Sequence, residues 1–180
     1  MKATRPTLIS SALILSCLMA FSAVPSTKRQ QSSANLAAAD GSYIGLRHGR
    51  NLPAGLKDEG GGLITDPYKD KVQYGISHVV RGRTNMLWFE LGTHHDAEGQ
   101  AFWEVLDVVT LPTLKRGQLV MFTLCQFNHQ PDSEIAAVVQ PLRGRNYETR
   151  TIRAWRANRQ TRKFKAIPTR GVKCELQGDY

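Results

Sequence analysis

Between Arg143 and Lys173 eleven cationic side chains stand against a single carboxylate, Glu148. Guanidinium groups grip anionic oxygens in pairs, and aromatic faces stack on flat rings. Tyr147, Trp155 and Phe164 are interleaved with the cations. Arg150, Arg153, Trp155, Arg156, Arg159, Arg162 and Lys163 are therefore the candidate ligand-binding residues, and the chemistry they offer is the holding of an anionic partner. The competing role is solubility, since long charged side chains also keep an edge strand from pairing with another chain. Arg81-Gly82-Arg83 and Arg143-Gly144-Arg145 repeat one tripeptide, echoed loosely at Arg47-His48-Gly49-Arg50. These read first as wet turns, and as an extension of the basic surface if the loops cluster.

Other residues invite sharper chemistry with less support. Glu90 and Asp107, beside Trp88 and Trp103, have the makings of a paired-carboxylate glycan cleft, or else of counter-charges for the arginines. His94-His95 suggests a metal, but neighbouring residues on a strand point to opposite faces, and the helical His-Glu-x-x-His arrangement is absent. No Gly-x-Ser-x-Gly elbow, Cys-x-x-Cys pair or phosphate-cradling glycine motif occurs. No metal and no cofactor is expected.

The elements that must position these residues are short. Apolar runs rich in Val, Ile, Thr, Phe and Trp recur at 73–80, 86–95, 102–111, 118–127, 134–140, 150–157, 163–167 and 172–176, bounded by turn residues. Such spacing predicts a mainly antiparallel all-β domain, a small sandwich or barrel of about seven to eight strands. Asp96 to Gly99 marks a hairpin turn. Pairing His95 with Gln100 sets Leu87, Phe89 and Leu91 beside Val108, Leu106 and Glu104, and puts Glu90 and Asp107 together on the opposite face. A second hairpin is expected from Arg150 to Ile167, turning at Asn158 to Thr161. Leu119 to Leu124 reads as a central strand leading into Cys125.

The N-terminus says where this domain works. Lys2 and Arg5 precede an apolar run from Leu8 to Val24, and Ala20 and Ser22 are spaced for signal-peptidase cleavage. Residues 1–22 are expected to be removed as an export signal. Ile14-Leu15-Ser16-Cys17 also resembles a bacterial lipobox, so membrane attachment is expected only if Cys17 is lipidated. Residues 23–42 read as a flexible tether, 43–71 as a Gly-rich loop region draped through Tyr43, Ile44, Leu46, Leu52 and Leu63, and 72–180 as the globular domain. In an oxidising compartment the remaining cysteines, Cys125 and Cys174, are expected to pair.

The whole chain carries 24 Lys and Arg against 15 Asp and Glu. With the signal removed the balance is +7. The segment 143–173 alone holds +10, which leaves the rest of the mature chain net acidic. The sequence thus reads as a secreted or periplasmic, non-catalytic binding protein. Its arginine-rich hairpin would engage an acidic glycan or envelope polymer, an acidic protein surface, or lipid headgroups. The exported compartment argues against nucleic acid. The alternative is a small glycan hydrolase using Glu90 and Asp107.

Overall fold

The structure is a computed structural model that describes residues 40–66, 69–142 and 148–176. The expected export signal and most of the tether lie outside these residues, as does the second Arg-Gly-Arg. A short 3-10 turn, Asp40–Tyr43, leads into β1 (Arg47–His48) and β2 (Leu56–Leu63). Then come β3 (Tyr74–Arg81), β4 (Thr84–His95), β5 (Ala101–Thr110), β6 (Leu119–Phe122), β7 (Cys125–Phe127) and β8 (Gln130–Pro131). The chain continues through β9 (Ile135–Pro141), β10 (Thr149–Asn158), β11 (Lys163–Ile167) and β12 (Val172–Cys174). All strand pairings are antiparallel.

Three sheets form. The first has the order β1-β5-β4-β3-β2, the second β11-β10-β9-β6, and the third β12-β7-β8. The side chains of β9 explain how they stack. Ala136 and Val138 enter one core with Ile76, Leu87 and Phe89 of the first sheet. Ile135, Ala137 and Val139 enter a second core with Cys125, Val172 and Cys174 of the third. Alternating residues are thus buried on both faces, so the second sheet is the middle layer and β9 reads as an unbroken apolar run. A third core lies on the outer face of the first sheet, where Tyr43, Leu46, Leu52 and Leu56 cover Val79, Met86, Trp88, Val105 and Val108. Cys125 and Cys174 are disulfide-bonded across a pairing of β7 with β12.

The fold departs from the sequence reading in three places, each with a local cause. The loop expected over 43–71 contains β2, an edge strand on β3 running through Gly60-Gly61-Gly62. Glycine hides a strand from propensity, because it supplies no side chain to alternate. Of the residues expected to drape over the domain, Ile44 and Leu63 are instead exposed. The run 118–127 is broken at Thr123, whose φ is +63°. β6 becomes the edge of the middle sheet and β7 the centre of the small one. The central strand is β9, not the run leading into Cys125.

The register of the β4–β5 hairpin also differs. Leu91 does face Glu104, but shifts occur between Phe89 and Glu90 and between Gly92 and His94. On the far side of the first shift Leu87 faces Val109 and Phe89 faces Asp107. A β-bulge adds one residue to one strand, so everything beyond it changes sides.

Candidate ligand-binding cleft and the basic hairpin

That bulge separates the two carboxylates expected to work together. Cross-strand partners share a face, so Asp107 goes with Phe89 towards the middle sheet. There its Oδ2 accepts the backbone N–H of Phe164 at 2.7 Å, and Oδ1 meets Lys163 Nζ at 3.3 Å. Glu90 faces the opposite way, only 3% exposed. Glu90 and Asp107 therefore stand on opposite faces of the first sheet and do not act as one carboxylate pair.

Glu90 has other partners, and they build the most organised polar group of the described residues. Ser77, on the neighbouring β3, donates its hydroxyl to Glu90 Oε2. His48, carried in by β1, brings Nε2 to 2.7 Å from Glu90 Oε1. The other ring nitrogen, Nδ1, lies 2.9 Å from the carbonyl of Gly49. A carbonyl only accepts, so Nδ1 carries a proton. The His48–Glu90 contact then shares one further proton, which makes the pair an imidazolium with a carboxylate or an imidazole with an acid. Burial works against the charged imidazole. The hydrogen bonds to Glu90 and Gly49 and the nearby charges of Glu90 and Asp58 outweigh it, raising the His48 pKa above its ordinary 6.5. The imidazole also meets Trp88 edge-on, with ring centroids 5.7 Å apart.

This group borders a cleft of about 450 Å³ on the outer face of the first sheet. Gly61 and Gly75 stand among the lining residues. A Cβ at Gly61 would lie 2.9 Å from Ser77 Oγ and 3.0 Å from the Ile76 carbonyl, so any larger residue there would displace Ser77 or the strand beside it. The ring of Trp103 passes over Gly75, with Cζ3 3.5 Å from the position of a Cβ there. Arg50, Asp58 and Gln100 add polar groups to the lining, and Leu52, Leu63, Ile76 and Ala101 add apolar ones. The volume suits a small molecule, and the mixture of one indole with a few convergent polar groups is what such sites use. Both Glu90 oxygens and both His48 nitrogens are already engaged.

The seven residues expected to bind an anion divide into two sets. Four belong to the fold. Trp155 packs against the first core. Arg156 Nη2 lies 2.5 Å from Asp132 Oδ2, with its guanidinium carbon 5.4 Å from the centroid of Phe127. Arg159 pairs with Glu134 at 2.7 Å, and Lys163 with Asp107. The other three, Arg150, Arg153 and Arg162, are exposed and form no ion pair with a described carboxylate. Arg150 faces Gln140 and Arg153 faces Val138, which puts both on one face of β10. Arg162 sits in the turn with φ +55°. Arg156 faces Lys165 across the hairpin, on the other side of the sheet.

Elsewhere, Arg81-Gly82-Arg83 is part of the β3–β4 turn, where Arg81 Nη1 donates to the Tyr43 hydroxyl. His94 stacks on Phe102 at 4.6 Å, and no group of three or more possible metal ligands occurs among the described residues. Sequence reasoning missed His48, Ser77 and the cleft. One signal was present: a carboxylate inside the apolar run Met86 to Leu91 must have a buried partner. Nothing in the spacing said that the partners stand 42 and 13 residues away. No protein-family model, curated protein or solved structure gives a significant match to this chain.

Proposed function

We propose that this is an exported, non-catalytic binding protein that engages a flexible anionic polymer, such as an acidic glycan of a cell envelope, through the C-terminal hairpin and terminal strand. One observation supports the reading most. After the internal pairs of Arg156, Arg159 and Lys163 are set aside, Arg150, Arg153, Arg162, Lys165, Arg170 and Lys173 remain exposed, with no ion pair to a described carboxylate. Six unneutralised cations within 24 residues of sequence attract polyanions whatever else they do. They do not converge on one pocket. Lys165 lies on the opposite side of the middle sheet from Arg153, and Lys173 stands between the inward-facing Val172 and Cys174. A polymer able to wrap fits that placement better than a small anion gripped at one point. The Cys125–Cys174 disulfide is compatible with an extracytoplasmic location. No helix of the described residues is long and apolar enough to cross a membrane.

Immobilised heparin, titrated at several salt concentrations, tests the reading. Binding that releases counterions gives an affinity that falls linearly on logarithmic axes as salt rises. The variant R150E/R153E/R162E is expected to flatten that slope and lower affinity at every salt concentration. Arg156 and Arg159 are unsuitable for charge reversal, because their loss unpairs Asp132 and Glu134 within the fold. Unchanged slope and affinity in the variant would remove the hairpin from the binding account.

A further inference from the structure

The cleft beside Glu90 is independent of the basic hairpin, and its chemistry is of a different kind. Its charged lining residues are His48, Arg50, Asp58 and Glu90. While His48 holds its proton, which its raised pKa favours, the His48–Glu90 pair sums to zero charge. Arg50 and Asp58 add one charge of each sign. The lining is therefore balanced, in a protein whose overall charge is +9. An anion or a cation gains nothing there from net charge. An apolar ligand would strip water from Ser77, Asp58 and Gln100 without replacing its hydrogen bonds. What remains is a neutral molecule rich in hydroxyls.

Shape points the same way. Trp103, which packs over Gly75, borders the cleft with a flat apolar ring, and Ser77, Asp58 and Gln100 line it with polar groups. A sugar ring has one such complementary pair of surfaces, a patch of C–H groups for an indole and equatorial hydroxyls for polar side chains. We propose that this cleft binds a neutral, hydroxyl-rich ring the size of one sugar residue, stacked on Trp103 and hydrogen-bonded to Ser77, Asp58 and Gln100. Asp58 has acceptor capacity for this, since Oδ1 takes the Gly60 N–H at 2.8 Å and Oδ2 is left. Ser77 donates to Glu90 and retains its lone pairs for ligand hydroxyls. Glu90 and His48 act as positioning residues. They hold Ser77 and the β1 segment in place, with both His48 nitrogens and both Glu90 oxygens in hydrogen bonds.

The test is titration of the full mature chain, followed by amide and indole NMR shifts, with glucose, N-acetylglucosamine, glucosamine and glucuronic acid and with the corresponding tetramers. The neutral sugars are expected to shift the Trp103 indole and the amides of Ser77 and Gln100. The charged congeners are expected to bind more weakly. Trp103→Ala should lower affinity for the neutral probes by about tenfold or more, whereas Trp103→Phe, which keeps a flat ring, should retain most of it. Gln100→Ala, a side chain outside the apolar cores, gives a second reading should Trp103→Ala fail to fold. The proposal is overturned by any of three results. No neutral sugar shifts these resonances at about 10 mM. Glucuronic acid or glucosamine binds more tightly than its neutral counterpart. Or both Trp103→Ala and Gln100→Ala, folded, bind as the wild type does.

Discussion

The cleft and the C-terminal hairpin treat charge in opposite ways. In the cleft, charges are few, balanced and partly buried, with His48 and Glu90 side chains 8% and 4% exposed. On the hairpin they are many, of one sign and mostly in water. The first arrangement is costly to disturb, since a buried group without its partner keeps its desolvation penalty. The second is cheap to alter, because exposed charges contribute little to stability and act at a distance. The comparison also splits the hairpin itself. Arg156, half-buried between Asp132 and Phe127, behaves like the cleft residues, and Arg153, three positions away, does not.

The largest effect expected concerns neither charge set but the support beneath the hairpin. Cys125 and Cys174 are 49 positions apart. Replacing both by Ala should lower stability by about 4 kcal/mol in the chain-entropy account. Urea unfolding measures the loss. Hydrogen exchange should show it first in β10 and β12, which share the second core, and last in the β3–β4 hairpin behind the cleft. Uniform loss of protection would mean that the two regions are one cooperative unit.

Next comes the buried pair. His48→Ala should cost about 3 kcal/mol near pH 6, because Glu90 is left in the protein without its partner. Arg153→Ala should stay within about 0.5 kcal/mol. Arg156→Ala is expected between them, at about 1.5 kcal/mol, from the lost ion pair and the lost contact with Phe127. Equal costs for Arg153 and Arg156 would erase the division within the hairpin.

A smaller effect should appear with pH. The folded protein holds the His48 proton more tightly than the unfolded chain, where the imidazole titrates near 6.5. This contribution to stability is complete below about pH 6.5 and is lost as pH rises through the higher folded value. Comparing wild type with His48→Asn from pH 5.5 to 9 isolates it, and the variant should lack that decline. Charge reversal on the hairpin should leave the decline in place.

How much of this was legible in the chain follows from the range of the forces involved. Alternation and turn residues are local, so β3, β4, β5, β9, β10, β11 and β12, the hairpin turn at Asp96 to Gly99 and the one at Asn158 to Thr161 were readable, whereas the break at Thr123 and the short β8 were not. The unbroken apolar run of β9 was readable as a strand, but not as the layer between two cores. The disulfide followed from compartment and cysteine count. Bulges were not readable: one extra residue near Asp107 carries its side chain to the other face, and no residue type announces it. The cleft was hidden for a related reason. It is assembled from β1, β2, β3, β4 and β5, and its glycines act by letting neighbours approach, Ser77 at Gly61 and Trp103 at Gly75. The basic segment stood out, yet composition did not tell structural arginines from free ones. Asp132 and Glu134 do that, and they lie on the far side of a neighbouring strand's turn.

The central claim is that the placement of the hairpin cations, rather than the total charge of the protein, directs it to an anionic polymer. Two triple variants with the same net charge decide it on a heparin column under a salt gradient. One is R150E/R153E/R162E on the hairpin. The other is R83E/K115E/R116E, built from exposed cations of other turns. The account predicts that the hairpin variant elutes at much lower salt than the wild type and that the second variant elutes close to it. Equal shifts of the two variants would contradict it, leaving the arginines of the hairpin as one part of a uniformly basic surface.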